Sequence, residues 1–136
     1  MLCLRRRAFR WLVMMVFASP LWPAHAGEHA FPFGSELMLD AAPMRGSKRV
    51  PMLQIDENGA ASIDLWCASA RADAKVGDDS ITIVPGQIEA AQCTAERLSS
   101  DQDLLAALSQ VTGWRRHGDV IEFLGATTLR FRLMTN

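Results

Sequence analysis

Hydrophobic and polar residues alternate along much of the chain after residue 35, and a period of two is typical of β-strands with one buried face. The alternation predicts a first strand at residues 36–39, a loop at 41–49, and two strands at 50–55 and 60–65. Asn58-Gly59 lies between the last two strands. Because this dipeptide readily takes the positive φ angles of a tight turn, it predicts a β-hairpin.

The alternation is less regular between residues 68 and 93. Residues 68–76 are small and polar and are predicted to be a connection. Residues 80–84 place Ile81 and Ile83 on one face and predict a strand, after which Pro85-Gly86 predicts a turn. Residues 87–93 could then pair back on that strand.

One segment after residue 98 has the period of a helix. Ser99 or Ser100 is its predicted N-cap, and Ser100-x-x-Asp103 is close to a capping box. Asp101 and Asp103 would lie where the helix dipole favours anions, and Gly113 would end the helix. The apolar face is predicted to pack in the core and consists of Leu104, Leu105, Leu108 and Val111.

The chain after the helix is again predicted to be β-structure. Strands are expected at residues 114–116, 120–124 and 128–133, with turns at 117–119 and at Gly125. One helix is too few for βαβ units, so the strands should be antiparallel. The predicted fold is therefore mainly β with one packed helix, an α+β fold built as a small antiparallel, partly open β-barrel.

The first 26 residues have the organisation of a secretory signal peptide. A basic head is followed by an apolar run at residues 11–18 and by Ala24-His25-Ala26, a typical processing site. The apolar run of 8 residues is far shorter than the ~20 that a membrane-spanning helix needs. We expect cleavage near Ala26, a periplasmic or secreted protein, and no stable membrane anchor after processing. Arg6-Arg7 leaves twin-arginine export open, and a retained N-terminal anchor is the remaining alternative.

Processing changes the size and the charge that matter. Removal of residues 1–26 leaves 110 residues, enough for one domain: residues 27–35 as a flexible lead-in and 36–136 as the folded part. The leader holds four of the 14 Lys and Arg residues and none of the 15 Asp and Glu, so the remaining chain has a net charge of −5. An acidic domain does not attract nucleic acid, and no nucleic-acid partner is predicted.

Two cysteines, Cys67 and Cys93, remain after the leader is removed. An even pair in an exported domain is most simply a disulfide, and closing this loop should stabilise the fold by about 3–4 kcal/mol. A redox-active pair would more often have the C-x-x-C spacing, which is absent.

The order of these features resembles the META domain family, which includes the HslJ-type heat-shock-inducible proteins. The similar positions are Leu65-Trp66-Cys67-Ala68 for the family's Gly-Cys-Asn step, Ala91-Gln92-Cys93 for its second cysteine, residues 103–111 for its helix, and residues 118–124 with Leu129-Arg130-Phe131 for its closing hairpin. The resemblance covers residues 36–133.

Two positions depart from the family pattern, because Trp66 replaces the glycine and Ala68 replaces the asparagine of the Gly-Cys-Asn step. The resemblance implies a compact barrel-like β fold with a helix and an envelope or secreted setting. It implies no catalytic residues, so none is assigned.

Few residues offer other chemistry. His29 and His117 could join the two cysteines in a zinc site, but the four ligands lack the usual paired spacing, and no metal or cofactor is predicted. No G-x-S-x-G motif marks a hydrolase, and Asp78-Asp79 is interpreted as a solvated turn.

The remaining candidates form a possible contact surface. The tryptophans are expected in the core or at its rim, with an apolar pocket or contact surface as the alternative. The arginines are expected on a solvated sheet face, with a basic patch for an anionic partner as the alternative. The residues are Trp66, Trp114, Arg115, Arg116, Arg130 and Arg132.

The leading hypothesis is a non-enzymatic domain with a binding or structural role in envelope maintenance or stress, whose partner is an envelope protein or a small apolar ligand. A small periplasmic inhibitor of a cell-wall hydrolase such as lysozyme is the alternative. The sequence does not indicate an oligomeric state.

Overall fold

The computed structural model describes residues 30–89 and 92–135. The predicted signal peptide and residues 27–29 of the predicted lead-in lie outside the described residues. Within them the chain forms eight strands and one helix: β1 (Leu37–Leu39), β2 (Met52–Ile55), β3 (Ala60–Asp64), β4 (Ser69–Val76), β5 (Ile81–Glu89), α1 (Ala95–Ser109), β6 (Val111–His117), β7 (Val120–Gly125) and β8 (Leu129–Leu133).

The strands form one antiparallel sheet in the order β5-β4-β3-β2-β1-β8-β7-β6. Its two outer strands, β5 and β6, approach each other at one point. Ser80, just before β5, forms a bridge with Gly113 of β6, and the Trp114 N–H donates to the Asp79 carbonyl at 3.0 Å. The sheet is therefore a partly open barrel, and the predicted fold class is confirmed.

The core lies inside the curved sheet. Alternate residues of the strands point inward, and the largest fully buried side chains include Leu53, Ile63, Phe123 and Phe131. Full burial of such a side chain stabilises the fold by about 1.5–3 kcal/mol. The helix contributes the predicted face, since Leu104, Leu105 and Leu108 are buried.

The prediction of a connection at residues 68–76 was wrong, because β4 occupies most of that segment. Ala70, Ala72 and Ala74 are its buried side, and the residues between them are exposed. The buried positions do recur with the period of two that is typical of a strand. They are occupied by alanine, which is not enriched in strands, so the sequence pattern did not predict one. Pairing with β3 and β5 on both sides decides the conformation.

The predicted turn at Pro85-Gly86 was also wrong, because β5 continues through it. Ala70 pairs with Ile88 and Ala72 with Pro85, so two residues of β5 lie opposite Arg71 in a β-bulge. β5 is an outer strand of the sheet, where a proline without an N–H is tolerated.

The hairpin of β2 and β3 is confirmed, but its turn differs in detail from the prediction. Gly59 has φ +87°, whereas no described residue other than glycine has a positive φ, so Asn58 does not take the predicted conformation. The Asp56 carboxylate instead accepts the N–H groups of Asn58 at 2.8 Å and Ala60 at 2.9 Å. A Cβ at residue 59 would lie 2.3 Å from the Ala74 carbonyl oxygen, so glycine is required there.

The helix exists as predicted but begins earlier and ends sooner. Thr94 is the N-cap, and its hydroxyl accepts the Arg97 N–H at 3.4 Å, so the prediction of Ser99 or Ser100 was wrong, and with it the capping box. The helix ends at Ser109. Val111, predicted on the helix, and Gly113, predicted to end it, both belong to β6, although Val111 is buried as expected.

Candidate functional site

Aromatic rings gather where the chain enters the barrel. Phe31 packs edge-on against Trp114, with ring centroids 5.1 Å apart, and stacks over Phe123 at 6.4 Å. Phe33 contacts Phe31 at 4.9 Å. Phe31 and Trp114 are buried, whereas 37% of Phe33 is exposed. This part of the segment predicted as a flexible lead-in is therefore packed on the barrel.

An open cleft of about 490 Å³ lies beside these rings. Its walls come from three separate parts of the chain: residues 30–33, which we call the entering segment, the end of β4 with the turn that follows it, and β6. The lining residues are Ala30, Phe31, Phe33, Val76, Gly77, Asp78 and Trp114. We call it the aromatic cleft.

Hydrogen bonds hold the turn between β4 and β5 against β6. The Trp114 indole Nε1–H donates to the Gly77 carbonyl at 2.8 Å, next to the backbone bond from Trp114 to Asp79. The Gly77 N–H donates to the Ser80 carbonyl at 2.8 Å within the turn itself. Because the ring of Trp114 is also packed against Phe31, two walls of the aromatic cleft are joined through one side chain.

The predicted arginine surface is divided by acidic side chains. β7 lies between β6 and β8, so the arginines of β6 and those of β8 are not on neighbouring strands. Glu122 of β7 pairs in register with Arg115 on one side and Arg130 on the other, and binds both guanidinium groups. The hydrogen bond from Arg115 is the main reason that the pKa of Glu122 is lowered. Arg132 forms an ion pair with Asp40 at 3.3 Å.

Arg116 faces the other way from Arg115. It pairs with Ile121, whose side chain is fully buried, and its guanidinium donates to the carbonyls of Gly118 at 2.8 Å and Ala30 at 3.2 Å. The four arginines therefore do not form one patch, and Arg116 supports the entering segment of the chain.

Cys67 and Cys93 form the predicted disulfide, with Cα atoms 5.8 Å apart. Sequence reasoning missed the two charged side chains that hold the adjacent turn. The Asp101 carboxylate, fully buried in α1, accepts the N–H groups of Trp66 at 2.9 Å and Ala68 at 2.8 Å. The Arg49 guanidinium donates to the Cys67 carbonyl at 2.7 Å.

The sequence contained an indication of the role of Asp101. It precedes Leu104, Leu105 and Leu108 by three, four and seven residues, which places a carboxylate on the apolar face of the helix. A buried carboxylate at such a position needs hydrogen-bond donors, and backbone N–H groups of a neighbouring turn can supply them.

The predicted aromatic candidates have different surroundings. Trp114 lines the aromatic cleft, whereas Trp66 is half-buried against the core beside the disulfide. The Trp66 Nε1 is buried and has no hydrogen-bond partner among the described residues.

The residues considered for zinc are not assembled. The two cysteine sulfurs are bonded to each other, His117 is exposed at the end of β6, and His29 lies outside the described residues. In the described part of the chain, no group of three or more His, Cys, Asp and Glu side chains could hold a metal ion.

No helix within the described residues is long and apolar enough to cross a membrane.

A model of the META domain matches residues 35–135. The chain belongs to the META domain family. The match covers the folded part of the chain from just before β1 to just after β8, and the resemblance predicted for residues 36–133 is confirmed.

Comparison with solved structures shows the same architecture. A structure described as "NMR structure of the protein" is similar to this META domain with a TM-score of 0.55 and 17% sequence identity, over 74% of this chain and 89% of the other. At this identity the likeness concerns the fold alone. None of the curated proteins matches the chain.

Proposed function

We propose that this META domain is an exported, non-enzymatic binding domain of the cell envelope, and that its aromatic cleft binds a small apolar group. The observation that carries the proposal is the cleft itself. Its volume lies within the range of about 300–1,000 Å³ that small-molecule sites occupy. Its lining is mainly apolar, and the exposed ring of Phe33 is available to a ligand.

Rigidity supports this assignment. Two walls of the aromatic cleft are joined by the hydrogen bonds of Trp114, and Phe31 is packed between Trp114 and Phe123. A ligand that enters a preformed cleft does not have to order its walls, so less binding free energy is lost. The arginine surface is a weaker candidate because Glu122 and Asp40 already bind its cations.

Export is supported by the disulfide and by the leader-like residues 1–26. Disulfides persist in oxidising compartments such as the periplasm and are rare in the cytosol. We expect the full chain, expressed in a bacterial host, to be found in the periplasmic or secreted fraction with Gly27 at its N-terminus and no free thiol at Cys67 or Cys93. Mass spectrometry after alkylation measures both; an intact Met1 in the membrane fraction, or two alkylated thiols, would contradict export.

Binding is tested with the exported protein and octyl glucoside, an uncharged amphiphile, below its micelle concentration. The indole Nε1–H resonances of Trp114 and Trp66 report on two places, of which only the first lies in the aromatic cleft. We expect a saturable shift of the Trp114 resonance and none of Trp66. Shifts of both indoles alike, or a response that never saturates, would argue for detergent-like adsorption and against the proposal.

Two exposed apolar side chains provide matched variants. Phe33 lines the aromatic cleft, whereas Met134, 42% exposed, does not. Phe33→Ala should weaken binding about five-fold, since the apolar contact it removes is worth about 1 kcal/mol. Met134→Ala should leave binding unchanged.

The hydrolase-inhibitor alternative is tested separately, by measuring lysozyme activity after mixing with the exported protein. Loss of lysozyme activity would favour that alternative.

A further inference from the structure

We propose that the aromatic cleft prefers cationic amphiphiles, molecules that carry an amine or quaternary ammonium group on an apolar chain or ring. The inference rests on the proposed function and names the ligand class. Its basis is the juxtaposition of Asp78 with the aromatic rings of Phe31, Phe33 and Trp114.

Asp78 is the ionisable residue in the lining of the cleft. It lies in the exposed turn between β4 and β5, and its carboxylate makes no ion pair or hydrogen bond within the described residues. Other acids that face arginines, such as Glu122 and Asp40, are bound to them. The Asp78 carboxylate is therefore an available counter-charge at the margin of an apolar site.

The aromatic rings favour the same charge. The face of an aromatic ring carries partial negative charge, and a cation within about 6 Å of the ring centroid is attracted to it. Phe33 is the ring with exposed surface, and it contacts Phe31 at 4.9 Å. A carboxylate and an exposed ring in one cleft form a site for an ammonium head group, while Val76 and the buried rings offer apolar contact for its chain.

The net charge of the domain favours a cation. The described residues carry ten Lys and Arg side chains and 14 Asp and Glu side chains, so the domain attracts cations at long range. Arg116 is not part of the lining, but its guanidinium donates to the carbonyls of Ala30 and Gly118, so one positive charge lies beside the cleft and reduces this attraction. An anionic amphiphile would meet the Asp78 carboxylate instead and be repelled.

Three probes with the same eight-carbon chain test the preference: octyltrimethylammonium, octyl glucoside and octyl sulfate. Each is titrated below its micelle concentration into the exported protein, and the Trp114 indole resonance gives the dissociation constant. At low ionic strength the cation should bind about five-fold more tightly than the neutral probe, as expected for one exposed ion pair assisted by a ring. The sulfate should bind least, and salt at about 0.15 M should reduce the differences.

Asp78 and Asp79 are adjacent exposed carboxylates, of which only Asp78 lines the cleft. Asp78→Asn should bring the cation to within about two-fold of the neutral probe, whereas Asp79→Asn should leave most of the preference. Phe33→Leu, which keeps an apolar side chain but removes the ring, should reduce the affinity for octyltrimethylammonium more than the affinity for octyl glucoside. Equal affinities for the three probes, or equal effects of the two Asn variants, would overturn the preference and leave cleft binding intact. The absence of any saturable Trp114 shift would overturn both.

Discussion

The contact between α1 and the disulfide turn allows a quantitative test through Asp101→Ala. The substitution removes a fully buried carboxylate and leaves the N–H groups of Trp66 and Ala68 without an acceptor. A hydrogen bond to a charged group contributes about 1.5–3 kcal/mol, and a buried N–H left unpaired has a comparable cost. With two such bonds lost, and some water access at the half-buried Trp66, we expect the free energy of unfolding to fall by about 3–5 kcal/mol.

The measurement is urea unfolding at pH 7 with the disulfide intact, followed by circular dichroism. Asp103→Ala is the matched control, because Asp103 lies in the same helix and is exposed. It changes the same residue type and includes the gain in helix propensity, so its effect should stay within about 0.5 kcal/mol. Asp101→Asn keeps one acceptor and should fall between the two. If Asp101→Ala and Asp103→Ala had equal stabilities, the carboxylate would not hold the turn.

Three further variants test the core, the disulfide and the arginine surface. Leu108→Ala should reduce the free energy of unfolding by roughly 2–4 kcal/mol, because Leu108 is fully buried; an unchanged melting temperature would exclude it from the core. Replacing both Cys67 and Cys93 by serine should cost about 3 kcal/mol, measured against the oxidised protein, and equal stability of the two forms would contradict a structural role. The pKa of Glu122 is lowered in the folded state, so its contribution is present above the pKa of the unfolded chain and is lost as the pH falls through the lower, folded value. Glu122→Gln should therefore be less stable than the wild type at pH 7 and approach it in acid, whereas a constant difference from pH 7 to pH 3 would contradict this linkage.

The sequence predicted the parts of the fold that depend on local pattern. β8 is an example, since Phe131 is buried between exposed Arg130 and Arg132, as the alternation indicated. β4 shows where pattern failed. Ala70, Ala72 and Ala74 alternate with polar residues just as regularly, but alanine by itself does not predict a strand. Pairing of β4 with β3 on one side and β5 on the other makes this segment a strand.

The candidate site was predicted only in part. The sequence places Trp114 in the core or at its rim, with an apolar pocket as the alternative; the structure buries Trp114 and also places it in the lining of the aromatic cleft. The sequence predicts a flexible segment for Phe31 and a solvated turn for Asp78, the residues that line the cleft with it. The local sequence around Phe31 gives no sign that Asp78 will lie beside it. The two residues have 46 residues between them, and they come together only because the sheet curls.

The amino-acid sequence by itself determined the fold class, the helix face, the cysteine pair and the family, because each depends on residue types at short or characteristic spacing. The tertiary structure alone decided the course of β5 through Pro85, the burial of Asp101 beneath the disulfide turn, and the aromatic cleft. These features depend on contacts between distant segments, where the pairing of strands and the burial of side chains outweigh the local preference of any single residue.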